Sequence, residues 1–175
     1  FNSGLGLAQL GRYYARAIIQ SGIKFDMIFG PAYKGIPLAA ATTIALADYH
    51  GLDIPYAFDR KETKDHGEGG NIVGAPLQGQ VLIIDDVITA GTSATYSINL
   101  IRENSAEVAG FVIALDRQEM VPGSTSSALQ TLQQMQDLPV FSIATLDDLV
   151  ELLEQDPEKS EILQDINRYR DDYGC

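Results

Sequence analysis

Val81-Leu82-Ile83-Ile84-Asp85-Asp86-Val87-Ile88-Thr89-Ala90-Gly91-Thr92-Ser93 runs from four apolar residues straight into two adjacent carboxylates. A short loop of small and hydroxyl residues follows, and a helical pattern begins near Ser93. An unbroken apolar run of this kind suits a strand buried on both faces of a parallel sheet. In open α/β sheets, ligands collect outside the carboxyl ends of such strands. Asp85 and Asp86 stand at that end, so the chemistry is expected there.

The flanking sequence repeats the strand-then-helix rhythm. Leu7, Leu10, Tyr14, Ala17 and Ile18 have helical spacing from about Gly4 to Gln20, and Ser21-Gly22 supplies a stop. Short apolar strands are expected at 25–29 and 54–58, with an Ala-rich helix from Ile36 to His50 between them. After the opening strand at 81–84 come a helix at 93–104, a strand at 108–115, a helix at 126–135 and a strand at 139–143. Two acidic amphipathic helices, near 146–155 and 158–171, follow and are read only as structural or solubilising. Strands alternating with helices predict a mostly parallel, doubly wound α/β sheet in a single domain spanning residues 1–175.

Composition narrows the function. The chain of 175 residues carries a net charge of -12, which argues against general nucleic-acid binding. Residues 1–117 hold nine Lys/Arg against twelve acids, whereas residues 118–175 hold three against twelve. Of five lysines, Lys61 and Lys64 fall in one short segment and Lys34 in a loop, a placement suited to an anionic small molecule. No apolar run is long enough to span a bilayer. The single cysteine, Cys175, excludes an intrachain disulfide, so a reducing, cytoplasmic setting is expected. The first residues, Phe1-Asn2-Ser3-Gly4, have neither a Met nor a signal pattern and read as the interior of a longer polypeptide.

Three stretches carry chemistry. Gly30-Pro31-Ala32-Tyr33-Lys34-Gly35 is a tight loop after a strand and projects Lys34 at the ligand edge; alone, it is an ordinary strand–helix turn with an exposed lysine. Arg60-Lys61-Glu62-Thr63-Lys64-Asp65-His66-Gly67-Glu68-Gly69-Gly70-Asn71 has cations, glycines and no apolar periodicity. It reads either as a mobile lid closing over an anion or as a disordered surface loop. Two histidines far apart, His50 and His66, make a histidine metal site unexpected. Thr89 to Ser93 combine hydroxyls, small residues and a helix N-terminus, the requirements of a phosphate cradle. Asp85 and Asp86 repel phosphate, so they suit sugar hydroxyls or a cation shared with phosphates.

Val81–Ser93 resembles the phosphoribosyl-diphosphate (PRPP) motif of type I phosphoribosyltransferases. Phe29–Pro37, Arg60–Gly70 and Leu115-Asp116-Arg117-Gln118-Glu119 narrow the resemblance to the orotate phosphoribosyltransferases in their bacterial form. The resemblance implies the type I fold, a central mostly parallel sheet flanked by helices with a flexible lid. It implies that Asp85 and Asp86 hold the ribose hydroxyls, and that Val87, Ile88, Thr89, Ala90, Gly91, Thr92 and Ser93 wrap the 5-phosphate. Tyr33 and Lys34 would form the diphosphate loop, where this family often has a non-proline cis peptide. Arg60, Lys61, Lys64 and His66 would lie on a lid reaching a neighbouring subunit, making a homodimer. Arg117, with Thr89 nearby, would contact orotate. Lys64, Asp85 and Asp86 are the expected catalytic residues, and Mg²⁺ would be held mainly by PRPP and water.

One departure follows from the same resemblance. The family carries a Lys-Ser-Gly-Arg element and a Ser-Pro-Tyr-Phe-Phe element before the position of Phe1, forming much of an N-terminal hood. Neither occurs here. A longer natural polypeptide is expected; taken alone, these residues are expected to keep the PRPP site and to bind orotate weakly. Two other functions compete. A transferase for a purine or uracil would need no carboxylate-binding arginine, and a non-catalytic PRPP-sensing regulator that binds nucleic acid would need a basic face.

Overall fold

The computed structural model describes residues 2–64, 70–89, 91–121 and 123–175, with the backbone alone at 61–64 and 70. Six strands form one sheet: β1 (Met27–Gly30), β2 (Tyr56–Lys64), β3 (Gly70–Gly74), β4 (Gln80–Asp85), β5 (Glu107–Asp116) and β6 (Val140–Thr145). Their order is β3-β2-β1-β4-β5-β6, and every neighbouring pair is parallel except β2 with β3. The helices are α1 (Gly4–Ser21), α2 (Gly35–His50), α3 (Thr92–Glu103), α4 (Ala128–Gln136), α5 (Leu146–Glu154) and α6 (Ser160–Tyr173), with one 3-10 turn at Pro157–Lys159.

Strand β4 explains the arrangement. Val81, Leu82, Ile83 and Ile84 are each fully buried. Side chains alternate across a strand, so Val81 and Ile83 pack with Ile98 and Ile101 of α3 and Leu132 of α4. Leu82 and Ile84 pack with Tyr14 and Ile18 of α1 and Leu38 and Leu46 of α2. Each face of the sheet is therefore closed by its own pair of helices, which is why β4 is apolar at every position. At about 25 cal/mol per Å² of apolar surface, these two layers supply the main stabilisation.

The expected elements are all present, with ends moved by one to a few residues. Helix α1 stops at Gly22, whose φ of 69° is the left-handed cap that glycine adopts without a Cβ clash. The segment 60–71 requires correction. Its described ends are strand rather than loop: β2 runs on to Lys64, and β3 begins at Gly70 and pairs with it antiparallel. The arms form a two-stranded ribbon at the sheet edge, joined by backbone hydrogen bonds. Such pairing needs no apolar alternation, which is why hydrophobic periodicity missed β3.

The strand order also locates the crevice. From β1 the chain moves outward to β2 and β3, then returns to the other side of β1 as β4. The carboxyl ends of β1 and β4 thus flank the point where the winding reverses, the place where doubly wound sheets take ligands.

Candidate active site

Two loops meet at that crevice. After β1, residues Pro31 to Lys34 turn into α2. Gly30 and Gly35 allow this turn, because a Cβ on Gly30 would overlap the Gly35 carbonyl oxygen and one on Gly35 would stand 2.6 Å from Pro31 Cδ. The Ala32–Tyr33 peptide is cis, in the loop where the family resemblance implied one. The Ala32 N–H donates to Asp59 Oδ1 at 2.6 Å. Asp59 is 5% exposed and lies on β2, so the neighbouring strand holds the loop. Nothing local in the sequence gives Asp59 a partner, since Ala32 lies 27 positions away. Its signal was its place at the end of the Ile54–Phe58 apolar run.

After β4, Asp85 and Asp86 lead into the second loop. Lys34 Nζ donates to Asp86 Oδ2 at 2.5 Å across the crevice, joining the two loops. That bond raises the Lys34 pKa above its ordinary value, while the charge of Arg117 pushes the other way. Arg117 therefore belongs to the same electrostatic neighbourhood. Asp85 is half-buried, and its pKa rises from 3.8 to about 6, chiefly because burial disfavours the charged carboxylate; the Asp86 charge adds to the rise. The Asp86 N–H donates to Asp85 Oδ1 at 2.9 Å and opposes it.

Beneath the pair lies a second residue missed in the sequence. Tyr14 of α1 is fully buried, and its hydroxyl donates to the Asp85 carbonyl at 2.7 Å. Burial raises the Tyr14 pKa, with further upward pushes from Asp85 and Asp86, so the phenol stays a donor. Helical spacing marked Tyr14 as core; nothing local revealed that it ties α1 to the strand end.

Gly91 caps α3 with a φ of 73°, and no side chain caps the helix. A capping threonine would have used an N–H of the first turn; here no side chain takes one. Helix α2 likewise has Lys34 at its N-cap without a side-chain cap, its first N–H, that of Gly35, donating to the Pro31 carbonyl at 3.0 Å. Two helix N-termini, each carrying partial positive charge, thus open at the crevice. Thr89, Thr92 and Ser93 are exposed, while Val87 and Ile88 are half-buried. Asp85, Ile88, Thr89 and Ser93 line a small depression.

Arg117 follows β5, whose end is fastened beside Asp86 by the Ala114 N–H donating to the Asp86 carbonyl at 2.9 Å. Its Nε lies 3.0 Å from Glu119 Oε1, close enough for charge pairing but without hydrogen-bond alignment. Thr89 instead lines a depression with Val121, Ala128 and Thr131, so the two expected base contacts approach from different elements. Arg60 is half-buried. The side chains of Lys61 and Lys64, and all of His66 and Ala90, lie outside the described residues. Among the described residues, no group of three or more His, Cys, Asp or Glu could hold a metal. Asp85 and Asp86 are nonetheless hard oxygen donors of the kind Mg²⁺ prefers, and they suit an ion that phosphates also hold.

Residues 2–132 match the phosphoribosyl transferase domain family. The chain is 53% identical over 174 residues to the orotate phosphoribosyltransferase of Escherichia coli (strain K12 / DH10B), covering 99% of this chain and 81% of that protein. The crystal structure of orotate phosphoribosyltransferase from Francisella tularensis superposes with a TM-score of 0.86 at 40% identity, over 99% of this chain and 83% of that one. The Mycobacterium tuberculosis H37Rv orotate phosphoribosyltransferase in complex with PRPP shares the fold, with a TM-score of 0.64 at 23% identity over 82% of this chain and 75% of that one.

Proposed function

The chain belongs to the phosphoribosyltransferase family, and on that premise we propose that it transfers the 5-phosphoribosyl group of PRPP to N1 of orotate. The products are orotidine 5′-monophosphate and diphosphate, a step of pyrimidine biosynthesis. The observation that carries this reading is the meeting of the Lys34 loop with the Asp85-Asp86 loop where the sheet reverses its winding, with Arg117 in the same field. One loop offers a cation and an uncapped helix N-terminus for diphosphate. The other offers carboxylates for the ribose hydroxyls and a second helix N-terminus for the 5-phosphate.

The reaction breaks the bond from C1 of the ribose to the diphosphate oxygen and the N–H bond at N1 of the base, and forms one from C1 to N1, with the proton passing to the departing diphosphate or to solvent. Positive charge develops on the ribose as the leaving group departs, so fixed opposite charges should lower the barrier. Lys34 is placed to stabilise the departing diphosphate. Asp85 and Asp86 accept from the sugar hydroxyls and put negative charge near the ribosyl cation. Arg117 presents a guanidinium to the carboxylate that distinguishes orotate from uracil, a pairing that can be bidentate. No side chain need act as a covalent nucleophile. Mg²⁺, bound with the diphosphate, supplies further neutralisation of its charge.

We further propose that residues 1–175 act as one transferase domain, in the cytoplasm, as a homodimer. In this dimer, Arg60, Lys61, Lys64 and His66 serve the neighbouring subunit. Exposed Leu5 and Tyr13 on α1 and exposed Ile44 and Tyr49 on α2 favour a second copy, since an apolar face of this kind marks an interaction surface. Among the described residues, no helix is long and apolar enough to cross a membrane.

Diphosphate release measured with PRPP, Mg²⁺ and each of orotate, uracil, hypoxanthine and adenine tests the substrate. Turnover with orotate alone is expected. Preference for another base would overturn the orotate reading, and no turnover with any base would favour the PRPP-sensing regulator.

A further inference from the structure

The turn that carries Arg117 is held from an unexpected direction. Gln118 adopts a φ of 53°, in the left-handed region that a non-glycine residue enters only when its surroundings hold it there. Its N–H donates to Asp116 Oδ1 at 2.9 Å. Its side chain grips the start of α5: Nε2 donates to Asp147 Oδ2 at 2.8 Å, and the Asp147 N–H donates back to Oε1 at 2.9 Å. Arg170 of α6 pairs with the other oxygen of Asp147 at 2.8 Å.

The backbone continues the pattern. The Cys175 N–H donates to the Gln118 carbonyl at 3.0 Å, and the Met120 N–H donates to the Tyr173 carbonyl at 2.8 Å. Glu119 and Gly174 form an antiparallel bridge. Gly174 is required in this position, because a Cβ there would stand 2.6 Å from the Arg170 carbonyl oxygen. Glu119, placed by that bridge, is the residue whose carboxylate lies against Arg117 Nε. Pairing at the Nε edge leaves the terminal nitrogens of the fork for a ligand.

We propose that Tyr173–Cys175 form a clamp that positions Arg117 for the carboxylate of the base, with Gln118, Asp147 and Arg170 as positioning residues. The clamp rests on the reading that Arg117 binds orotate. It assigns the acidic C-terminal helices a role in base recognition and none in holding PRPP, which the β1 and β4 loops grip independently. Trimming the clamp should leave the fold intact, since α6 has no buried residue.

The test compares four variants with the unmodified chain: a chain stopped after Asp172, Cys175→Pro, Arg170→Ala and Arg170→Lys. Steady-state KM for orotate and for PRPP is measured for each, with the urea midpoint as a check on folding. Loss of the clamp should raise KM for orotate by about 10- to 100-fold, the cost of misplacing a binding group by an ångström. KM for PRPP should stay within about twofold, and Arg170→Lys should restore most of what Arg170→Ala loses. Unchanged orotate KM in the first two variants, or equal changes in both constants, overturns the clamp. Arg117→Ala separates the two ideas: if it leaves orotate KM unaltered, the arginine reading fails and takes the clamp with it. If Arg117→Ala weakens orotate and the clamp variants do not, the clamp alone fails.

Discussion

Replacing Asp85 by asparagine should make the protein more stable and less active, with the stability gain growing as pH rises. The burial that raises the Asp85 pKa from 3.8 to about 6 means that the folded state binds this proton more tightly than the unfolded chain does. Unfolding stability therefore falls as pH climbs through the interval between those values, and the loss is complete above it. A shift of that size corresponds to about 3 kcal/mol at pH 8 and about a third of that at pH 4.5. Asp85 is only half-buried, so solvent screening reduces the full figure to about 1–2 kcal/mol. Asparagine keeps an acceptor for the Asp86 N–H and removes the charge. Urea unfolding of both proteins between pH 4.5 and 8 should show curves that separate steadily toward high pH. Meanwhile kcat/KM for PRPP should fall by about 10- to 150-fold, from the loss of a charged hydrogen-bond acceptor. A constant stability difference across that range, or a variant less stable at pH 8, would refute the assignment of a destabilising buried charge.

Tyr14→Phe deletes the hydroxyl that meets the Asp85 carbonyl and should cost about 1–3 kcal/mol for the unsatisfied buried group; an unmoved urea midpoint would argue against it. The same change should raise KM for PRPP more than KM for orotate, because it loosens only the β4 loop. Gly30→Ala drives a methyl into the Gly35 carbonyl and to 2.8 Å from Ala39 Cβ. It should cost about 1–3 kcal/mol through overpacking and weaken inorganic diphosphate binding in calorimetry, whereas wild-type behaviour would show that the turn has room. Lys64→Ala should lower kcat far more than it raises KM for PRPP, since contacts made at the moment of reaction act on the transition state; equal effects on both would exclude that role.

Asp85, Asp86 and the Thr89–Ser93 loop were legible because strand, acid pair, hydroxyl turn and helix fall in one contiguous run. Lys34 was visible as a lysine in a tight glycine loop, yet ambiguous until the fold brought it to Asp86. Asp59 and Tyr14 stayed hidden because their partners are 27 and 71 positions away along the chain. Strand β3 escaped because a paired edge ribbon is held by its backbone and carries no hydrophobic period.

Local chemistry in Val81–Ser93 therefore pointed, without any structure, to the buried central strand and to the sheet edge where a ligand is expected, and the alternation of strands and helices along the chain pointed to a doubly wound sheet. Hydrophobic periodicity is a local property, and it specifies elements and their inward faces. Only the tertiary structure decided that α1 supplies the hydroxyl beneath Asp85, that β2 anchors the Lys34 loop, and that the end of α6 pairs with the turn after Arg117. Those contacts join residues far apart in sequence, and they exist only once both faces of the sheet have been covered.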